Sequence, residues 1–71
     1  MEKPHAQEIA ATLELSIAKL SETVVIAQRS LPSEEYESIK REVGLLIARI
    51  SDKLLDPIYE EFPDLAPPGV L

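Results

Sequence analysis

The fold is decided by residues 10–31, which read AATLELSIAKLSETVVIAQRSL. Apolar residues recur in this stretch at alternating intervals of three and four, the heptad spacing of a helix that buries one stripe. The stripe consists of Ala10, Leu13, Ile17, Leu20, Val24, Ala27 and Leu31. Neither proline nor glycine occurs between Pro4 and Pro32. The pattern predicts one long helix over residues 4–30, with Pro4 in the first turn, where its missing N–H is not needed.

A second helix is predicted over residues 33–55. Pro32 disfavours the α conformation at Leu31, so the first helix should end there. Ser33 followed by two glutamates is typical of an N-cap and an acidic first turn. A short turn between two amphipathic helices favours an antiparallel hairpin. The expected core positions of the second helix share one arc of the helical wheel; they are Tyr36, Ile39, Val43, Leu46, Ile47, Ile50 and Leu54.

Prolines crowd the end of the chain. Asp56 and Pro57 are typical of a cap followed by a first-turn proline, so we expect a break or a short third helix over residues 57–62. A continuous helix kinked at Pro57 is the alternative. Residues 63–71 are expected to form an irregular, proline-rich tail. The chain is therefore predicted to be all-α, with a helical hairpin domain over residues 1–62 and a tail over residues 63–71.

The first helix carries more apolar surface than one hairpin can cover. A second apolar strip lies away from the heptad stripe, and small residues of the second helix leave room for a neighbouring helix. Two aromatic side chains near the end are a candidate anchor for a partner, with packing inside the same chain as the alternative. The residues predicted to meet a second copy or a partner are Ala11, Leu15, Ala18, Val25, Ile26, Gly44, Ala48, Leu55, Tyr59 and Phe62.

A homodimer of two hairpins, forming a four-helix bundle, would cover this surface. The small size of the chain favours it, because one core of this size rarely supplies more than about 3–5 kcal/mol. In the alternative, the end of the chain folds back over the second strip of the same molecule. The residues available for that are Leu55, Ile58, Phe62, Leu65, Val70 and Leu71.

Composition narrows the range of functions. The chain has 71 residues, 13 acidic and 7 basic, and a formal net charge of −6, which argues against binding nucleic acid. The absence of cysteine excludes a disulfide framework and a thiolate metal site, and it favours a cytoplasmic location. No signal peptide is visible, and no apolar run exceeds four residues, so no membrane span is expected.

No catalytic or cofactor-binding constellation is predicted. His5 is the only histidine, and Gly44 and Gly69 are the only glycines, so the sequence offers neither a nucleophile relay nor a phosphate loop. An enzyme or metal site between the helices would need inward-facing polar ligands, which the stripes lack. The sequence predicts a protein–protein interaction or assembly module that acts as a homodimer and has a possible protein partner. The alternative is an acidic antidote protein, of the antitoxin or immunity type, that covers a basic partner.

Overall fold

The computed structural model describes residues 1–67, and these fold as an antiparallel helical hairpin. Helix α1 spans Lys3–Ser30, helix α2 spans Ser33–Arg49 and helix α3 spans Asp56–Glu61. The π segment, Ile50–Leu55, joins α2 to α3, and a 3₁₀ turn over Pro63–Leu65 follows. The all-α hairpin with a short third helix is thereby confirmed. The predictions made for Val70 and Leu71 lie outside the described residues.

The turn of the hairpin is made by Leu31 and Pro32. Leu31 is extended, with φ −119° and ψ 154°, because the following proline ring disfavours the α conformation. Its N–H donates to the carbonyl of Ala27 and closes the last turn of α1. Pro32 stands at the cap position of α2, and its carbonyl accepts the N–H of Tyr36 at 3.0 Å. The predicted Ser33 cap is wrong, since Ser33 is already helical and no side chain caps α2.

The second arm of the hairpin consists of α2, the π segment and α3, and it is continuous through Pro57. In a regular α-helix Pro57 would have no N–H for the carbonyl of Lys53, and its ring would clash with that carbonyl. The residues before Pro57 do not keep the α spacing, because the N–H of Asp56 reaches back five residues to the carbonyl of Ser51. Leu55 and Asp56 keep helical torsion angles. The chain therefore does not break at Pro57, and the short third helix continues the path of a bent helix, as in the kinked-helix alternative.

The core lies at the end of the hairpin that is remote from the turn. Ala6 and Ala10 of α1 pack against Leu55, Ile58 and Tyr59 of the second arm. The two alanines let the second arm approach α1 closely. The partly buried apolar residues packed around this cluster are Leu13, Ile17, Ile50, Phe62, Leu65 and Ala66.

The predicted stripe of α1 and most of the predicted arc of α2 are confirmed as the inner surfaces. On α1, every stripe residue is buried or half-buried except Leu31 at the turn. On the second arm, two predicted core residues are exposed instead, Leu46 at 52% and Leu54 at 50%. Leu55, predicted to meet a second copy or a partner, is only 4% exposed.

The π segment explains the exchange of Leu54 and Leu55. A π-helical turn contains more residues than an α-helical turn, so each residue advances by a smaller angle around the axis. Over Ile50–Leu55 this delay amounts to about one residue, as in other π-bulges. The position that an unbroken α-helix would give to Leu54 is therefore taken by Leu55.

Candidate interaction surface

The second apolar strip of α1, which we call the outer stripe, is exposed along its whole length. It consists of Ala11, Leu15, Ala18, Val25 and Ile26, all of them exposed. Leu15 is 61% exposed. Since a helix turns by about 100° per residue, these positions lie on the side of α1 that points away from α2. The end of the chain does not cover them as far as residue 67, because Leu65 and Ala66 pack on the core cluster instead.

The other predicted interaction residues divide into two groups. Gly44 and Ala48 are exposed on α2, and a Cβ added at Gly44 would meet no described atom within 4 Å. Leu55 and Tyr59 lie in the core, and Phe62 is half-buried against it. These last three residues are not part of the exposed surface. Packing within the chain, the alternative considered for the aromatic pair, accounts for Tyr59 and Phe62.

Sequence reasoning missed a second exposed apolar surface, on one flank of the hairpin. An open groove of about 340 Å³, which we call the flank groove, lies between α1 and the second arm. It is lined by Met1, Ile9, Leu13, Leu54 and Ile58. Lys53 and Glu61 form its charged rim. Leu46 lies eight residues before Leu54, and the delay in the π segment returns Leu54 to nearly the same side of the hairpin as Leu46. The helical wheel contained the signal for Leu46, which stood at the edge of the predicted arc, whereas the position of Leu54 depends on the π segment.

A buried tyrosine ties α3 to α1. The Tyr59 hydroxyl donates a hydrogen bond to the carboxylate of Glu14. Burial raises the pKa of Tyr59 to about 12, and the hydrogen bond and the negative charge of Glu14 act in the same direction. A phenol that holds its proton so firmly is a hydrogen-bond donor at neutral pH and not a base or nucleophile. The arrangement therefore ties α3 to α1.

Two ion pairs join the start of α1 to the C-terminal elements. The α-amino group of Met1 lies 3.4 Å from the Glu61 carboxylate, and the Lys3 ammonium pairs with Asp64. The hydrogen bond from Lys3 lowers the pKa of Asp64. Both pairs are substantially exposed, so their contribution to stability is small. They do neutralise two of the four carboxylates that the chain carries between residues 56 and 64.

The described part of the chain shows no cluster of metal-binding side chains. Within residues 1–67, no three histidine, cysteine or carboxylate side chains converge. His5 is exposed in the first turn of α1. No helix in the same range is both long enough and apolar enough to cross a bilayer. The distinctive feature of the surface is thus its exposed apolar area.

Comparison with known proteins gives no relative for this chain. No family model matches it, and no curated protein or solved structure matches it at the significance required.

Proposed function

We propose that this protein is a small protein–protein interaction or assembly module of the cytoplasm, without enzymatic activity, that acts as a homodimer. The distribution of apolar side chains carries the proposal. Within residues 1–67, nine large apolar side chains are 37% exposed or more, while no large side chain is fully buried. A chain that leaves so much apolar surface in water and buries so little has a strong drive to associate.

The magnitudes support association with a second copy. Complete burial of a Leu, Ile or Val side chain is worth about 1.5–3 kcal/mol, so covering a half-exposed one gains roughly 1 kcal/mol. Covering four or five of them would match the roughly 3–5 kcal/mol that the core of such a small domain supplies. Dimerisation would thus about double the apolar stabilisation of each chain. Closed two-fold dimers are the commonest way for soluble chains to achieve this.

The alternative of an acidic antidote protein has less support. The feature that favours this alternative is the acidic segment near the end of the chain, whose negative charge would speed the encounter with a basic partner. Glu61 and Asp64 of that segment are already paired with cations of the same chain. The exposed apolar area is the stronger feature of the surface.

Sedimentation equilibrium over a range of protein concentrations tests the proposal. We expect a dimer at low micromolar concentration, and a urea unfolding midpoint that falls on dilution because association stabilises the folded state. A monomer throughout the range, with a midpoint independent of concentration, would refute the homodimer.

A further inference from the structure

Four exposed residues on one side of α2 form a patch in which an acidic and a basic residue flank two leucines. We call it the α2 patch; it consists of Glu42, Leu45, Leu46 and Arg49. Leu45 and Leu46 are adjacent and are 57% and 52% exposed. Glu42 stands three residues before Leu45, and Arg49 stands three residues after Leu46. Residues three and four apart are neighbours on a helix surface, so the four side chains make one continuous patch with an acid at one end, apolar groups at the centre and a base at the other.

This order is self-complementary only for an antiparallel pair. A two-fold axis perpendicular to α2, between Leu45 and Leu46, places Glu42 of each copy opposite Arg49 of the other and packs the leucines together. In a parallel pair, Glu42 would meet Glu42 and Arg49 would meet Arg49. Since an isologous interface uses the same patch on both subunits, the charges select the antiparallel arrangement.

Neither charge of the α2 patch has a partner within the described chain. Glu42 and Arg49 are seven residues apart, which is about 10 Å along the helix axis, too far for the two to pair directly. Both are exposed. The ion pairs found within residues 1–67 all use other groups, namely Met1–Glu61, Lys3–Asp64, Lys19–Glu22 and Lys53–Asp52.

The α1 side of the same flank suits close approach by another helix. Thr12, Ser16 and Thr23 follow Ile9 at helical spacing, and Ile9 lies beside Leu54 in the flank groove. The three hydroxyls donate to carbonyls of their own helix at 2.9, 2.9 and 3.1 Å. A hydroxyl that is already bonded in this way leaves no unmade hydrogen bond when water is excluded.

We infer that a second copy of this chain docks on this flank, with its α2 antiparallel to α2 and the two-fold axis between Leu45 and Leu46. The inference rests on the proposed function, because both require a homodimer, and it names the face that forms it. The arrangement makes a four-helix bundle from two hairpins. It leaves the outer stripe of α1, with Leu15, on the outside of the dimer.

A charge-reversal cycle tests the face and its direction. Glu42→Arg alone and Arg49→Glu alone each put like charges opposite one another twice per dimer. We expect either to raise the dimer dissociation constant, measured by sedimentation equilibrium, at least about tenfold, since two attractive pairs become repulsive. The double variant restores opposite charges and should return within about threefold of the original value. The matched control, Glu37→Arg, makes the same change as Glu42→Arg on the side of α2 that faces away from the patch, and it should leave the constant unchanged.

Cross-linking gives a second readout that does not depend on affinity. The chain contains no cysteine, so a single introduced cysteine reports one position. Leu46→Cys lies next to the proposed axis, where it meets its own copy, and should form an intermolecular disulfide under mild oxidation. Leu15→Cys on the outer stripe is the control and should remain mostly monomeric on a non-reducing gel.

The possible outcomes separate the two proposals. Rescue by the double charge reversal supports the antiparallel face. If neither single reversal changes the dimer dissociation constant, the face is wrong while the homodimer stands. The same holds if Leu15→Lys dissociates the dimer and Glu42→Arg does not. A protein that is monomeric without any substitution overturns both.

Discussion

The exchange of Leu54 and Leu55 by the π segment leads to a matched pair of substitutions with opposite expectations. If α2 continued as a regular α-helix, Leu54→Ala would damage the core and Leu55→Ala would be mild. The structure reverses this order, because Leu55 is 4% exposed and packs in the cluster with Ala6, Ala10, Ile58 and Tyr59, while Leu54 is half exposed.

The magnitudes follow from that burial. A buried leucine replaced by alanine costs about 2–5 kcal/mol, through lost transfer free energy and the cavity that is left. A half-exposed leucine loses roughly 1 kcal/mol or less. The core of such a small domain supplies only about 3–5 kcal/mol, so Leu55→Ala should remove half or more of the stability. Leu55→Met keeps the volume of the side chain and should cost less than about 1.5 kcal/mol, which gives a variant that still folds.

Urea unfolding followed by circular dichroism measures the difference. The protein is kept below the dissociation constant of any dimer, so that Leu54 in the flank groove receives no support from a second copy. Leu54→Ala should lower the unfolding midpoint by half or less of the shift that Leu55→Ala causes. A Leu54→Ala variant that is destabilised as much as Leu55→Ala would show that the helix keeps its α register through residues 50–55, and our account of the π segment would be wrong.

Three further predictions concern single groups. Tyr36→Phe leaves Tyr59 as the sole tyrosine of a chain without tryptophan, so the absorbance of tyrosinate reports Tyr59 alone. The pKa of Tyr59 in the folded chain, about 12, exceeds the ordinary 10.0. The stabilisation by the protonated Tyr59 is therefore complete below pH 10 and is lost as pH rises toward 12. The tyrosinate absorbance should therefore rise near pH 12, together with alkaline unfolding, and a midpoint near 10 contradicts the buried hydrogen bond. Gly44→Ala should raise stability by about 0.5–1 kcal/mol, because nothing described lies within 4 Å of the new Cβ. The dimer constant should not change, because Gly44 lies on the other side of α2 from the α2 patch. A lower melting temperature would reveal a neighbour of Gly44. The hydrogen bond from Lys3 holds the pKa of Asp64 below the ordinary 3.8, so the stabilisation by this ion pair is present above that pH and is lost as pH falls. Lys3→Gln should raise the Asp64 pKa in an NMR titration, and an unchanged value argues against the ion pair.

The features that the sequence predicts well are those with local causes. The end of α1 at Leu31 follows from the steric effect of Pro32 on the residue before it. The inner stripe of α1 follows from heptad spacing, because the period of a regular helix converts directly into a face. Neither feature requires knowledge of what packs against it.

The features that the sequence does not predict depend on the rest of the fold. Pro57 allows either a break or a bend, and the burial of Ile58 and Tyr59 against α1 is consistent with the bend that keeps both side chains on the inner side. The consequent shift of Leu54 and Leu55 cannot be read from a wheel that assumes one period throughout. Leu46 lies at the edge of the predicted arc, where the width of the neighbouring helix decides whether a side chain is buried. The arc alone therefore cannot show that Leu46 is exposed.

The position of the core bears on how the chain folds. A hairpin whose best contacts lay beside its turn would close like a zipper from that turn. Here the core cluster joins Ala6 and Ala10 to Leu55, Ile58 and Tyr59, and the Tyr59–Glu14 bond spans 45 positions, so the contacts of this cluster form only after distant parts of the chain have met. The entropy of closing so large a loop must be met before those contacts contribute. Folding should accordingly be slower than a two-helix protein of this length suggests, and amide hydrogens around the turn should exchange sooner than those at the opposite end.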